Sequence, residues 1–344
     1  MPQHLPEGKD CDLSQAPPSS CLIDKFGRRI NYLRLAITDR CNLRCQYCQP
    51  ESGVPFIPHQ EILRFEELER LTRIFVSLGI TKIRVTGGEP FARKGCLGFL
   101  TRLKAIPGVK SLHITTNGVA TAQHLDELAA IGIDGINLSL DTLDRKRFWK
   151  ITRRDYFPAV INTFHGILER NIPLKINTVV LEDTSDEEIL SLSSLAQKFP
   201  VSLRFIELMP FSGTEMPGKL SKGDLVSRLA NLFPNAVEFD ATLPTTARIF
   251  QVPDFQGKLG IINGYSREFC STCNKVRITP SGMLKTCLYD NGVLDIKGLV
   301  RNTRDDQAIA GEVRRCIQNR FANGYLAEQH ALRSQETSML LIGG

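Results

Sequence analysis

The chain has a single tryptophan, Trp149, in 344 residues. It has no run of about eighteen apolar residues, which excludes a helical membrane span. It carries no Walker-type phosphate loop, and its six histidines are scattered without a Ser/His/Asp grouping. A hydrolytic triad and a P-loop nucleotidase are therefore set aside. Zinc-type Cys/His quartets are also lacking, so a nucleic-acid-binding zinc protein, and with it a nucleic-acid partner, is not expected. The first twenty residues are rich in Pro, Ser and Gln, with acids at Glu7, Asp10 and Asp12. They lack the apolar core of a secretory signal and the Arg-rich character of a mitochondrial leader. Residues 1–25 are read as a disordered tail. Trp149 is assigned to packing, and the histidines to solvated or structural positions.

What is present is ordinary in bulk and unusual in detail. Charged residues make up 23% and hydrophobic ones 42%, the balance of a soluble globular protein. The net charge of +6 would suit an anionic substrate, because a cleft of one sign concentrates its counter-ion. Six of the ten cysteines fall into two triplets. Clustered thiols without a secretory signal fit metal-bound thiolates in a reducing, cytoplasmic setting better than disulfides. Cys11, Cys21, Cys96 and Cys316 are isolated and read as free thiols.

Periodicity alternates between strand and helix. Strands are expected at 32–37, 82–86, 111–115, 135–140, 174–180 and 203–207. Helices are expected at 65–78, 122–130, 158–169, 187–198 and 222–232. In the first helix Leu68, Leu71, Phe75 and Leu78 share one face. Repeated βα units imply a parallel sheet covered by helices. Composition alone leaves open whether that sheet is doubly wound or curls into a partial barrel. From about residue 234 the pattern changes to short strands at 247–252, 258–262 and 276–279, with a helix at 303–318. The division is therefore tail 1–25, an α/β body at 26–233 and a smaller module at 234–344.

The chemistry-bearing residues sit where expected strands end, as in parallel barrels. Cys41, Cys45 and Cys48 form the run CNLRCQYC after the first strand. Three thiolates can hold one centre while leaving a coordination position open, whereas structural zinc prefers a closed set of four. A zinc knuckle with a distant fourth ligand is the alternative. Cys270, Cys273 and Cys287 form a second triplet, again without an obvious fourth. TGGEP (residues 86–90) places paired glycines where a backbone could approach a ligand. Arg34, Lys82, Arg84, Lys175 and Arg204 lie on strands, and Lys82 and Arg84 point to the same side. Together they suit a triphosphate, whose charge of about −4 needs several cationic partners. Ion pairs with acids such as Glu207 are the alternative.

The two triplets and their separation resemble the GTP 3′,8-cyclase family of the radical S-adenosylmethionine (SAM) superfamily. The resemblance runs from about Tyr32 to the terminal Gly343-Gly344. It implies a (β/α)6 three-quarter barrel of TIM-like type with a C-terminal module that carries a second cluster. It implies two [4Fe–4S] clusters, held by Cys41, Cys45 and Cys48 and by Cys270, Cys273 and Cys287. S-adenosyl-L-methionine would bind the first cluster and be split to a 5′-deoxyadenosyl radical. GTP would become (8S)-3′,8-cyclo-7,8-dihydroguanosine 5′-triphosphate, a lyase step in molybdenum cofactor biosynthesis. Tyr47, Gly88, Ser139 and Met209 are implied SAM contacts. Arg34, Arg84, Thr115 and Lys175 are implied GTP contacts, with Lys82 and Arg204 at further basic positions.

In NKVRI the resemblance assigns Lys275, Val276 and Arg277 to GTP beside the second cluster. Lys275 stands where the family more often has Arg, which keeps the charge and loses the bidentate fork. Arg277, Lys275, Gly343 and Gly344 are the implied catalytic set, with the glycine tail inserted into the site. Implied partners are GTP, an electron donor such as flavodoxin or ferredoxin, and cyclic pyranopterin monophosphate synthase downstream. A homodimer is compatible with the resemblance. The rival within the superfamily is an enzyme that modifies a peptide or another small molecule with an auxiliary cluster.

Overall fold

The computed structural model describes residues 21–209, 225–239, 246–264, 267–331 and 338–343. A short antiparallel pair, β1 (Leu22–Ile23) and β2 (Arg29–Ile30), precedes the main sheet. Six βα units follow. Their strands are β3 (Tyr32–Ala36), β4 (Lys82–Thr86), β5 (Ser111–Thr116), β6 (Gly135–Ser139), β7 (Leu174–Val180) and β8 (Ser202–Glu207). Further along come β9 (Val237–Phe239), β10 (Arg248–Gln251), β11 (Lys258–Ile262), β12 (Lys275–Ile278), β13 (Met283–Lys285) and β14 (Leu294–Asp295). Strands β3 to β14 form one twelve-stranded mixed sheet in the order β14-β13-β12-β3-β4-β5-β6-β7-β8-β11-β10-β9.

The helices are α1 (Phe65–Ser77), α2 (Cys96–Lys104), α3 (Leu125–Ile131), α4 (Arg145–Thr152), α5 (Phe157–Glu169), α6 (Asp186–Lys198), α7 (Leu225–Leu232), α8 (Ile296–Asn302), α9 (Asp306–Gln318), α10 (Gly324–Ala331) and α11 (Met339–Ile342). Local chemistry starts several of them. The Ser185 hydroxyl accepts from the Glu188 N–H while the Glu188 carboxylate accepts from the Ser185 N–H, closing a capping box on α6. Asp144 and Asp305 cap α4 and α9 through their carboxylates. No helix among the described residues is long and apolar enough to cross a membrane.

Strand period two sorts the side chains. Leu33 and Leu35 of β3, Ile83 and Val85 of β4, Ile136 and Leu138 of β6, and Leu203 and Phe205 of β8 are fully buried in the core. The intervening positions carry Tyr32 and Arg34, Lys82 and Arg84, Asn137 and Ser139, and Arg204, all facing one cavity. The parallel register then lines them up across strands. Lys275, Tyr32 and Lys82 are direct neighbours in one row, and Arg277, Arg34, Arg84 and His113 in the next.

Three expectations change. Residues 21–25 belong to the folded body, because Leu22 is buried and the Asp24 carboxylate is ion-paired to Arg28 at 2.6 Å; residues 1–20 lie outside the described residues. The segment after residue 234 does not build a sheet of its own. β11 joins β8 in parallel and β12 joins β3 in parallel, so it extends the central sheet from both edges. Trp149 is 59% exposed. On α4 the buried face is set by Phe148, Ile151 and Thr152, which turns Trp149 toward water.

The core predicts a contrast in stability. Leu35→Ala, in the centre of β3, should cost about 2–5 kcal/mol. Leu190→Ala, at a position 43% exposed on α6, should change stability by less than about 0.5 kcal/mol. Urea unfolding of the metal-free chain measures both.

Candidate active site

All six cysteines of the two triplets line one cavity of about 430 Å³. Cys41, Cys45 and Cys48 sit on the loop that leaves β3. That loop is tied down on two sides. The Arg44 and Gln46 N–H groups donate to the Thr152 and Ile151 carbonyls at 3.0 and 2.9 Å, at the end of α4. The Gly88 and Glu89 N–H groups donate to the Thr38 and Arg40 carbonyls at 2.7 Å each. Gly87 and Gly88 are required there: a Cβ would stand 2.6 Å from the Thr38 carbonyl oxygen at the first, and 2.4 Å from that of Arg40 at the second. Cys270, Cys273 and Cys287 come from the segment flanking β12 and β13.

Each triplet brings three thiols to the cavity, a donor set that suits an iron–sulfur cluster with one iron left open rather than the closed four-ligand set of structural zinc. Burial pushes the Cys41 and Cys287 thiols up to about 11, and raises Cys45 and Cys48 further. Such thiols stay protonated until a metal displaces the proton. Cys273 differs. Burial would raise it, but the Arg320 guanidinium and Lys275 outweigh burial and lower it.

The same cavity carries a cationic wall. Lys82, Arg84, Lys175, Arg204, Lys275 and Arg277 all line the cavity, and none of them is ion-paired to a carboxylate among the described residues. Arg34 lines it as well. Burial first, and then neighbouring guanidinium and ammonium groups, lower Lys175 to about 7. Arg204 falls to about 10, chiefly through burial and Arg84. The Arg204 Nε, the Thr115 Oγ1 and the Asn177 Oδ1 are buried at the cavity wall without a hydrogen-bond partner among the described residues. Such groups are costly unless a ligand satisfies them.

The remaining expected residues divide. Tyr47, Gly88, Ser139, Met209 and Thr115 line the same cavity, and the Tyr47 hydroxyl donates to Asp141 Oδ2 at 2.7 Å. Val276 does not reach it; its side chain is fully buried on the opposite side of β12. The Gly343 carbonyl accepts from Arg277 Nη1 at 3.2 Å. With φ at 83°, Gly343 sits where a Cβ would be 2.3 Å from that of Ala36. Gly344 lies outside the described residues.

Three residues at the site, Tyr32, Arg28 and Arg320, escaped the sequence reading, and Asn117 of TTNG gained a specific contact. Tyr32 stands between Lys275 and Lys82 in the strand register, with both ammonium groups over its ring at 5.5 and 5.0 Å. Arg84 Nε donates to its hydroxyl. Its alternation with Arg34 was the available signal. Asn117 donates to Cys41 Sγ at 3.5 Å. Arg28 and Arg320 contact the second triplet from segments with no recognisable motif.

Comparison with known proteins agrees with this geometry. The Radical SAM superfamily model matches residues 35–196, and the Molybdenum Cofactor Synthesis C model matches residues 201–326. The chain is 39% identical over 328 residues to GTP 3′,8-cyclase of Moorella thermoacetica, covering 93% of this chain and 99% of that one. It is 38% identical over 297 residues to human molybdenum cofactor biosynthesis protein 1, covering 86% of this chain. It spans about half, 47%, of the length of that human protein. In structure it is similar to Streptococcus suis SuiB bound to S-adenosylmethionine, with a TM-score of 0.56 at 17% identity, over 84% of this chain and 69% of that one.

The cavity's electrostatics predict a pH dependence. Burial alone would raise the Tyr32 phenol, but Arg84 and Arg34 outweigh it and bring it down to about 7. Lys175 and Tyr32 therefore lose protons near pH 7 in the folded chain and only near pH 10 when unfolded. Between these values the unfolded chain binds more of these protons, so the two groups raise stability with pH. The ligand-free, metal-free protein should be more stable at about pH 7.8 than at about pH 7.0, below the range near 8.5 where the unfolded cysteine thiols ionise and reverse the slope, with a slope of up to about 1.4 kcal/mol per pH unit for each proton. Urea midpoints at the two pH values measure it.

Proposed function

Because this chain belongs to the GTP 3′,8-cyclase family of radical SAM proteins, we propose that it converts GTP to (8S)-3′,8-cyclo-7,8-dihydroguanosine 5′-triphosphate for molybdenum cofactor biosynthesis. The observation that carries this reading is the convergence of two cysteine triplets and a wall of cations on one cavity. Cys41, Cys45 and Cys48 would hold one [4Fe–4S] cluster, and Cys270, Cys273 and Cys287 the other. Three thiolates at each end suit a cluster that keeps one iron for a ligand. When bound, the clusters and S-adenosyl-L-methionine supply the one-electron chemistry that no side chain here can supply.

The chain's own residues bind, orient and shield. Gly87 and Gly88 seat the first cysteine loop against their own turn at the cavity wall, where SAM would bind, with Tyr47, Ser139 and Met209 on the surrounding wall. Lys82, Arg84, Lys175, Arg204 and Arg34 grip the triphosphate, and the Thr115 hydroxyl gains its missing partner from the nucleotide. Lys175 Nζ takes up a proton as the polyanion enters. Arg277 and Lys275 stand between the triphosphate wall and Cys273, with Arg277 anchored to Gly343. Strands β3 to β8 form a partial (β/α)6 barrel, and the segment from residue 234 closes its open side. A flavodoxin- or ferredoxin-type donor supplies electrons in the cytoplasm, and cyclic pyranopterin monophosphate synthase consumes the product.

Anoxically purified protein should carry about eight irons per chain. Incubated with SAM, GTP and a reductant, it should yield 5′-deoxyadenosine and the cyclised nucleotide by mass spectrometry and chromatography. Zinc without iron, or SAM cleavage with GTP unchanged, contradicts the reading. Arg277→Ala should lower cyclisation by at least about tenfold, as expected for loss of a charge-assisted contact, while both clusters remain.

A further inference from the structure

Around the second triplet the structure builds a buried network from two distant segments. The Asp24 carboxylate accepts from Arg28 Nε at 2.6 Å. Arg28 then spreads its guanidinium over three carbonyls: Nη1 donates to those of Cys270 and Ala322 at 2.9 and 2.8 Å, and Nη2 to that of Phe321 at 2.7 Å. Arg320 lies alongside, with its Nη1 3.9 Å from Asp24 Oδ2. Its Nη1 donates to the Cys273 carbonyl at 3.1 Å, and its Nη2 to Cys273 Sγ at 3.4 Å. The Gly324 N–H donates to Cys270 Sγ at 3.3 Å. The Arg320 and Asp24 side chains are 3% and 0% exposed, so solvent screens these charges little.

We propose that Arg320 is a positioning residue for the cluster on Cys270, Cys273 and Cys287, and that with Asp24 and Arg28 it sets the reduction potential of that centre. The inference rests on reading these three cysteines as ligands of a [4Fe–4S] cluster. A reduced cluster carries one more negative charge than an oxidised one. A fixed guanidinium that donates to a ligating sulfur stabilises the reduced form more, which raises the potential. The first triplet has a different surround. The donors to its sulfurs are neutral, among them the Asn117 amide and the Leu43 N–H to Cys41 and the Tyr47 hydroxyl near Cys45, and Asp141 lies close by through Tyr47. Asp24 opposes Arg28 and Arg320, so it holds that potential below the value two bare guanidiniums would give.

The test is a redox titration followed by electron paramagnetic resonance. It uses the full chain with Cys41→Ala, Cys45→Ala and Cys48→Ala, so that only the second centre reports. Arg320→Met should shift the midpoint to a more negative potential, and Asp24→Asn to a more positive one. Shifts of the same sign, or an unchanged midpoint in a variant that retains its iron, overturn the inference. Should Arg320→Met lose its iron, Asp24→Asn decides alone: a positive shift supports the inference and any other result overturns it. If both lose iron, Arg320→Lys, which keeps the charge, must hold the cluster near the parent midpoint, and its failure overturns the inference. Absence of about four irons in the parent protein would refute the cluster reading instead.

Discussion

Like charge held in one buried cavity is the constraint on which the arrangement depends. The parallel register sets Arg277, Arg34 and Arg84 side by side on adjacent strands, and neighbouring strands run about 4.8 Å apart. Unit charges at ~5 Å repel by about 3 kcal/mol at an effective dielectric near 20. Tyr32 relieves part of this, since its ring and hydroxyl face Lys82, Arg84 and Lys275 together. A polyanion would relieve the rest, which is what the proposed triphosphate site supplies.

That wall needs a scaffold that cannot open. The chain supplies it by sending its C-terminal segment to both edges of the central sheet, so that β3 to β8 are bracketed by β12 and β11. Further ties close the back. Arg301 of α8 pairs with Glu67 of α1 at 2.8 Å, and Arg70 of α1 donates to the Val300 and Thr303 carbonyls. The Ser338 hydroxyl donates to the Cys48 carbonyl at 2.7 Å, which binds the chain's end to the first cysteine loop. One continuous sheet thus positions both triplets.

Much of the fold was legible from period alone. The strands expected at 82–86, 174–180 and 258–262 are found with those bounds, and the helix expected at 65–78 ends one residue earlier. Long amphipathic or aliphatic segments carry a strong signal. Five helices were missed: α2, α4, α8, α10 and α11. Arg145–Thr152 is dominated by charged residues, and Cys96–Lys104 starts from Gly95 in a left-handed turn at φ 86°; neither announces itself by apolar period. The expected helix at 122–130 divides into a 3-10 turn and α3. Strand pairing across a long sequence separation was out of reach, so the C-terminal segment read as a separate unit. At the site, motif residues and strand cations could be named in advance. Arg28 and Arg320 could not, because their roles come from tertiary placement and no local pattern marks them; Tyr32 carried only its alternation with Arg34.

The central claim is that this cavity is built for the triphosphate of a nucleotide. The most direct measurement is anoxic calorimetry of the iron-loaded chain with GTP, GMP and guanosine at low salt. Affinity should fall by at least about tenfold from GTP to GMP and fall again to guanosine, since each lost phosphate removes charge-assisted hydrogen bonds. Guanosine binding as tightly as GTP would contradict the account.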